Sequence, residues 1–158
     1  MIDNLDKKLV LELQEDGRRS YVELANKLGV TEGTIRNRIK RLLEENMLDI
    51  TAVPQLDKLG YDFIGIIGMQ VQLAHLRTVA ASLVGHPNVC YLANVTGRYE
   101  FIAVIVARSS KEFADFMENV VSTIPYILRT ETFVSLRTYK GKIFGLDTVQ
   151  LISKLSVE

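Results

Sequence analysis

The alternation of apolar and polar positions changes period near residue 60, which divides the chain into a helical half and a mixed one. Asp3 can cap a helix running to about Asp16, in which Leu5, Leu9 and Leu13 recur every four residues and Val10 and Leu11 widen the stripe. Gly17 stands where a helix C-cap glycine belongs. Ser20 followed by Glu23 makes a capping box, each side chain bonding the other residue's free backbone N–H. It opens a short helix from Tyr21 to Leu28 with Val22, Ala25 and Leu28 facing inward, and Gly29 stops it. Thr31 caps a third helix from about Glu32 to Glu45, whose inward stripe is Ile35, Ile39 and Leu42. Ile50-Thr51-Ala52-Val53 predicts a short strand ended by Pro54, and Gly60 closes the polar connection that follows.

Beyond Tyr61 the β pattern takes over. Phe63 to Leu73 is rich in β-branched and apolar residues and reads as a strand. Leu76, Val79, Ala80 and Leu83 return to helical spacing, ended by Gly85. Val89 to Thr96 is a second strand, Gly97-Arg98-Tyr99 a tight turn, and Phe101 to Ala107 is apolar on both faces, as a central strand is. Ser109 with Glu112 spells another capping box. It opens a helix carrying Phe113, Phe116, Met117, Val120, Val121 and Ile124, ended by Pro125. Thr130 to Tyr139 alternates as a last strand, and Ile143 to Leu155 predicts a short helix. The order strand–helix–strand, hairpin, strand–helix–strand is ferredoxin-like. Two helices cover only one face of such a sheet. Yet the first strand places Phe63, Ile67, Met69 and Val71 on one side and Ile64 and Ile66 on the other. The uncovered apolar face predicts a dimer through residues 61–140, related by a two-fold axis.

Composition narrows the function classes. The 158 residues are 47% hydrophobic and 24% charged, enough for a sizeable core without disulfides or structural metals. The single cysteine, Cys90, reads as a core residue on a strand and fits a reducing cytoplasm. No apolar run is long enough to cross a bilayer, and the acidic start lacks a secretion pattern, so a cytoplasmic chain is expected. His75 and His86 have no carboxylate spacing of a metal site, and Gly141-Lys142 lacks the rest of a phosphate-binding loop. Neither catalytic residues nor a metal or cofactor is expected. The formal net charge of zero gives no support to nucleic-acid binding, so such a function has to rest on local clustering.

That clustering exists. Ser20 to Asn46 has helix-turn-helix anatomy: a capped short helix, a Gly29-Val30-Thr31 turn with Val30 filling the space between helices, and a longer second helix. Opposite its apolar stripe lie Gly33, Asn37, Lys40 and Arg41, with Thr34, Arg36 and Arg38 on the flanks. Of residues 36–41, four are basic and none is acidic. Gly33 allows close approach to DNA, Asn37 can pair bidentately with adenine, and Arg36 or Arg41 can reach a guanine or a phosphate. Ser20 and Tyr21, at a helix N-terminus, can bond the DNA backbone. A basic helix face alone is as often a merely solvated one; the paired capped helix and glycine turn favour double-stranded DNA.

The stretch from Leu5-Asp6 to Leu48, above all the run L-x-L-Q-E-D-G-R-R-S-Y-V-E-L-A-N-K-L-G-V-T-E-G-T-I-R-N-R-I-K-R-L, resembles the Lrp/AsnC or feast/famine family of bacterial and archaeal regulators. Val95 to Phe101 is similar to the family's glycine-containing hairpin, and Thr130-Glu131-Thr132 to its last strand. The resemblance implies an α+β chain. A winged helix-turn-helix over 1–48 and a short strand and linker over 49–60 lead into a ferredoxin-like βαββαβ (RAM) domain over 61–142. A tail spans 143–158. It also implies a sequence-specific transcriptional regulator whose dimers assemble into tetramers or octamers. An amino acid or related effector then binds between dimers around Thr96, Gly97, Arg98, Tyr99 and Glu100, near Thr130 and Thr132 of a facing chain. Turn N–H groups there suit an α-carboxylate and a carboxylate suits an ammonium. Many members carry an acidic residue after the glycine and aspartate two positions later. Arg98 and Glu100 stand there in this chain, so an acidic ligand, or a lost amino-acid response, is open. An exposed turn residue is the plainer reading of Arg98, and ordinary strand propensity that of Thr130 and Thr132. Two other readings compete: a siroheme-decarboxylase-like enzyme, which resembles the same architecture but needs a basic, histidine-bearing tetrapyrrole cleft, and an effector-sensing assembly module that has lost DNA binding.

Overall fold

The computed structural model describes residues 2–139 and 149. The chain divides after Ala52 into two compact units. The first consists of helices α1 (Asn4–Glu15), α2 (Tyr21–Leu28) and α3 (Glu32–Glu44). Side chains bond the free N–H groups at all three starts: Asp3 and Asp6 form a reciprocal box on α1, Ser20 and Glu23 on α2, and Thr31 caps α3. Gly29 ends α2 in the left-handed region (φ 69°), where a residue with a side chain would be strained; it lets the chain reverse into α3 within three residues. The core is Leu9, Leu13, Leu24, Ala25, Ile35, Ile39 and Leu42, with Val30 packed at its edge.

Three expectations for this unit change. Asp16, in an extended conformation, caps the end of α1, and Gly17 has no left-handed backbone. Leu24 rather than Val22 faces inward, because the two helices flanking α2 meet its 24–25 side; Val22 is exposed. Residues 50–53 form no strand, since no segment of this chain offers them a ladder partner among the described residues.

The second unit is a four-stranded antiparallel sheet with strand order β2-β3-β1-β4. Its elements run β1 (Phe63–Val71), α4 (Leu76–Val84), β2 (Val89–Asn94), β3 (Phe101–Ala107), α5 (Ser110–Asn119) and β4 (Ile127–Val134). The core lies between the helices and one sheet face: Val79 and Leu83 of α4 and Phe113 and Phe116 of α5 meet Ile67, Met69, Val71, Phe101, Ala103 and Ile105. At the Ser109 cap the expected reciprocity is missing. Glu112 instead accepts from the Arg108 N–H (2.7 Å) and from buried Asn88 (2.8 Å), tying the helix start to the β2 entrance. The helix breaks at Val120 into a 3-10 turn over Val121–Thr123. The last strand starts three residues earlier than expected and ends at Val134, where its pairing with β1 stops at Gly65. The helix expected over Ile143 to Leu155 lies outside the described residues.

The opposite sheet face is uncovered by either helix. One end of it is closed by Tyr61, with Leu56 and Ile64, over Cys90 and Val106. Across the middle, β1–β3 pairing puts Ile66 opposite Val104, and Ile66 (36%), Tyr91 (46%) and Phe133 (49%) stay solvent-exposed. Among the described residues, no helix is long and apolar enough to cross a membrane.

Candidate functional site

Helix α3 buries Ile35, Ile39 and Leu42, and this fixes which residues it can present outward. Gly33, Asn37 and Lys40 are exposed together on the far side, with Arg36 beside them. The four cations of the helix divide into two kinds. Arg36 and Lys40 keep 63% and 71% of their side-chain surface in solvent and, among the described residues, pair with carboxylates of their own helix, Glu32 (2.6 Å) and Glu44 (3.7 Å). Arg38 and Arg41 keep 25% and 38% and turn back onto α1. There Arg38 donates to Asp6 (2.8 Å) and Asp3 (2.5 Å), and Arg41 Nη2 donates to the other oxygen of Asp6.

Asp6 is fully buried at the centre of this clasp. Burial pushes its carboxyl up, but hydrogen bonds from Arg38, the Asp3 backbone and Arg41 outweigh that and hold it down at about 2. Asp6 therefore stays ionised and fastens α3 to α1 through two arginines. Arg38 and Arg41, expected at DNA, both bond the protein's own acids in this structure.

The remaining residues expected at DNA sit at the starts of α2 and α3. Ser20 spends its hydroxyl on the α2 cap, accepting from the Glu23 N–H (3.2 Å) and donating to its carboxylate (2.9 Å). Tyr21, one residue on, is exposed, and the Arg36 guanidinium lies 5.3 Å from its ring centroid. Thr31 and Thr34 share a hydroxyl contact of 2.9 Å at the cap of α3.

In the second unit the hairpin between β2 and β3 folds back over the uncovered sheet face. Tyr99 lies flat on β1 at Gly68, where a β-carbon would stand 2.8 Å from the ring; only glycine leaves room. Its hydroxyl donates to Glu131 of β4, which pushes the phenol up from its ordinary range. Arg98 reaches the same carboxylate at 3.5 Å, and its carbonyl accepts from Gln70 (3.1 Å). Glu100 places one carboxylate oxygen on the Val71 N–H (2.8 Å), while Thr96 and Gly97 form the exposed tip. The register pairs Thr130 with Met69 and Thr132 with Ile67, so both threonines lie on the helix-covered face, and Glu131 between them lies on the hairpin's face. Within one chain, then, the structure gathers 98–100 with Glu131 and Gln70, and leaves Thr130 and Thr132 on the other side of the sheet. Sequence reasoning missed Asp6, Glu32 and Glu131. Strand alternation could have found Glu131; the spacing Asp3 to Asp6 marks Asp6 as a capping partner, but nothing local marks its bonds to Arg38 and Arg41, which lie more than thirty residues away.

Comparison with known proteins agrees with both units. Residues 2–43 match the AsnC-type helix-turn-helix domain, and residues 64–142 the Lrp/AsnC ligand binding domain. An uncharacterized HTH-type transcriptional regulator of Pyrococcus furiosus is 35% identical over 85% of this chain and 91% of its own length. The structure of AsnC from E. coli superposes with a TM-score of 0.84 at 27% identity, covering 90% of this chain and 97% of that one. A Neisseria meningitidis transcriptional regulator solved as an L-Met complex shares the fold at 19% identity, with a TM-score of 0.85 over 96% of this chain and 99% of that one. With a helix-turn-helix of this type joined to a ferredoxin-like sheet of this type, the chain belongs to the Lrp/AsnC family of transcriptional regulators.

Proposed function

We propose that the chain reads specific sequences in duplex DNA through Gly33, Thr34, Arg36, Asn37 and Lys40, with Tyr21 and Thr31 toward the phosphates, as a cytoplasmic homodimer that catalyses no reaction. The observation that carries this reading is the sorting of the α3 cations: two are consumed by Asp6, and the exposed remainder, Arg36 and Lys40, flanks Asn37 on the solvent side of the helix. That is the layout for base contacts flanked by phosphate contacts. The apolar, uncovered sheet face around Ile66, Tyr91 and Phe133 supports a dimer in which two such faces meet.

A small-molecule effector, an amino acid or related metabolite, is proposed at the hairpin over 96–100. The match to the Lrp/AsnC ligand binding domain supports it, as does the L-methionine bound by the Neisseria relative. Binding at a contact between dimers shifts their assembly and so the set of occupied DNA sites. The test is a gel shift on the DNA upstream of the chain's own gene, across a salt series, with light scattering in the presence of each amino acid. Binding is expected to fall steeply with salt, and at least one amino acid is expected to change the particle mass. Failure to bind any duplex at low ionic strength would remove the regulator reading. Siroheme decarboxylation by the pure protein would replace it with the enzymatic one.

A further inference from the structure

The start of α3 carries a carboxylate where a DNA-binding surface is expected to avoid one. Glu32 is the first residue of the helix, about half exposed, next to Gly33. A negative charge there repels phosphate, so its presence on the reading edge asks for a role. Its Oε1 accepts from Arg36 Nη2 at 2.6 Å, and the same guanidinium stands over the Tyr21 ring of the preceding helix. Arg36 is thus held from two sides, by a carboxylate of its own helix and a ring of the neighbouring one, while most of it remains open to solvent. Arg38 and Arg41 owe their positions to Asp6; Arg36 alone among the arginines of α3 is fixed and still outward.

We infer that Glu32 and Arg36 together read G·C-containing sequence in the major groove, with Arg36 on a guanine and Glu32 on a neighbouring cytosine amino group, and that Tyr21 positions Arg36 for the contact. This rests on the DNA-binding reading of α3 given above. The chemistry fits each edge: a guanidinium fork matches guanine O6 and N7, and a carboxylate accepts from cytosine N4 while finding no donor on thymine. A guanidinium already held in place loses less freedom on docking than a free one. The carboxylate also sharpens selectivity by exclusion, since wherever it finds no amino group it meets only acceptors and phosphates.

The experiment is selection of binding sites from a random duplex library by the full chain and by Glu32→Gln, Arg36→Ala and Tyr21→Leu, with affinities then measured on the winning site and on its single-base variants. Thermal unfolding of each variant checks that these exposed substitutions leave the fold intact. The unaltered chain is expected to demand G·C at one or two adjacent positions of each half-site. Arg36→Ala is expected to lose roughly five- to a hundredfold of that discrimination, the range of one bidentate base contact. Glu32→Gln is expected to relax the cytosine preference several-fold and to tighten binding to unrelated duplex at low salt. Tyr21→Leu is expected to weaken the guanine preference less than Arg36→Ala does. If the unaltered chain selects a site and Glu32→Gln leaves every base preference and the non-cognate affinity unchanged, this inference is overturned while the regulator reading stands. If the unaltered chain binds no duplex, both fall.

Discussion

The two units use polar and apolar residues in opposite ways. In the helical unit, charge is partly internal: a buried aspartate and two arginines clip α3 to α1, so half of the basic residues on the helix serve the fold. In the sheet unit, apolar surface is partly external: Ile66, Tyr91 and Phe133 lie across a face that neither helix covers. A count of basic residues therefore overstates the solvent-facing charge of α3, and a count of apolar ones overstates the core of the sheet. What separates fold from function in each case is where the partner sits, which chemistry type alone does not reveal.

The contrast can be broken most severely at the sheet. Ile66→Asp puts an unpaired carboxylate in the middle of the open face. It is expected to weaken the proposed dimer by roughly 3–5 kcal/mol, as an uncompensated buried charge does. On the proposed pairing, sedimentation should show a dimer for the unaltered chain and monomer for the variant, and an unchanged particle would take that face out of the interface. Next comes Asp6→Asn, expected to destabilise the helical unit by about 2–4 kcal/mol because two arginines lose their counter-charge. This effect has a pH signature. A carboxyl held at about 2 in the folded chain contributes stability that is present above its unfolded value and is lost as pH falls through the folded one. The difference between the two proteins should therefore shrink as pH drops from about 4 toward 2 in denaturation curves.

A smaller effect sharpens the other side of the comparison. Asn37→Ala is expected to leave thermal stability within about 0.5 kcal/mol and to cost roughly 1–3 kcal/mol at one base position in binding titrations. The smallest is Lys40→Ala, which should lower the slope of log affinity against log salt by about 0.9 with no measurable change in stability. Arg41→Ala on the same helix should do the reverse, destabilising the fold more than it changes the salt slope.

Much of the first unit was legible in the sequence because its signals are local. Ser20 with Glu23, Thr31 before Glu32, and the stripe of Ile35, Ile39 and Leu42 each occupy a few consecutive turns, and each is found as read. The strands and their order were legible for the same reason. The Asp6 clasp was not, since an aspartate on α1 reads as one more surface charge until the fold brings Arg38 and Arg41 to it. On the inward face of α2, Ala25 and Leu28 were read as found, but Leu24 takes the place given to Val22, because eight residues give a short stripe with two plausible phases and packing chose Leu24. The strand read at 50–53 needed a partner that periodicity cannot supply. At the hairpin, Arg98 and Tyr99 were named, but the acid they meet was hidden between two threonines that face the other way.

Gly68 has a mechanical consequence for that hairpin. The vacancy left by its missing side chain is filled by the Tyr99 ring, whose hydroxyl grips an acid on the outermost strand. A tilt of the tip at 96–98 would strain the contact of that ring with Gly68 and its bond to Glu131 of β4. The hairpin and the edge strand β4 are thereby joined across β1 by one ring and one acid.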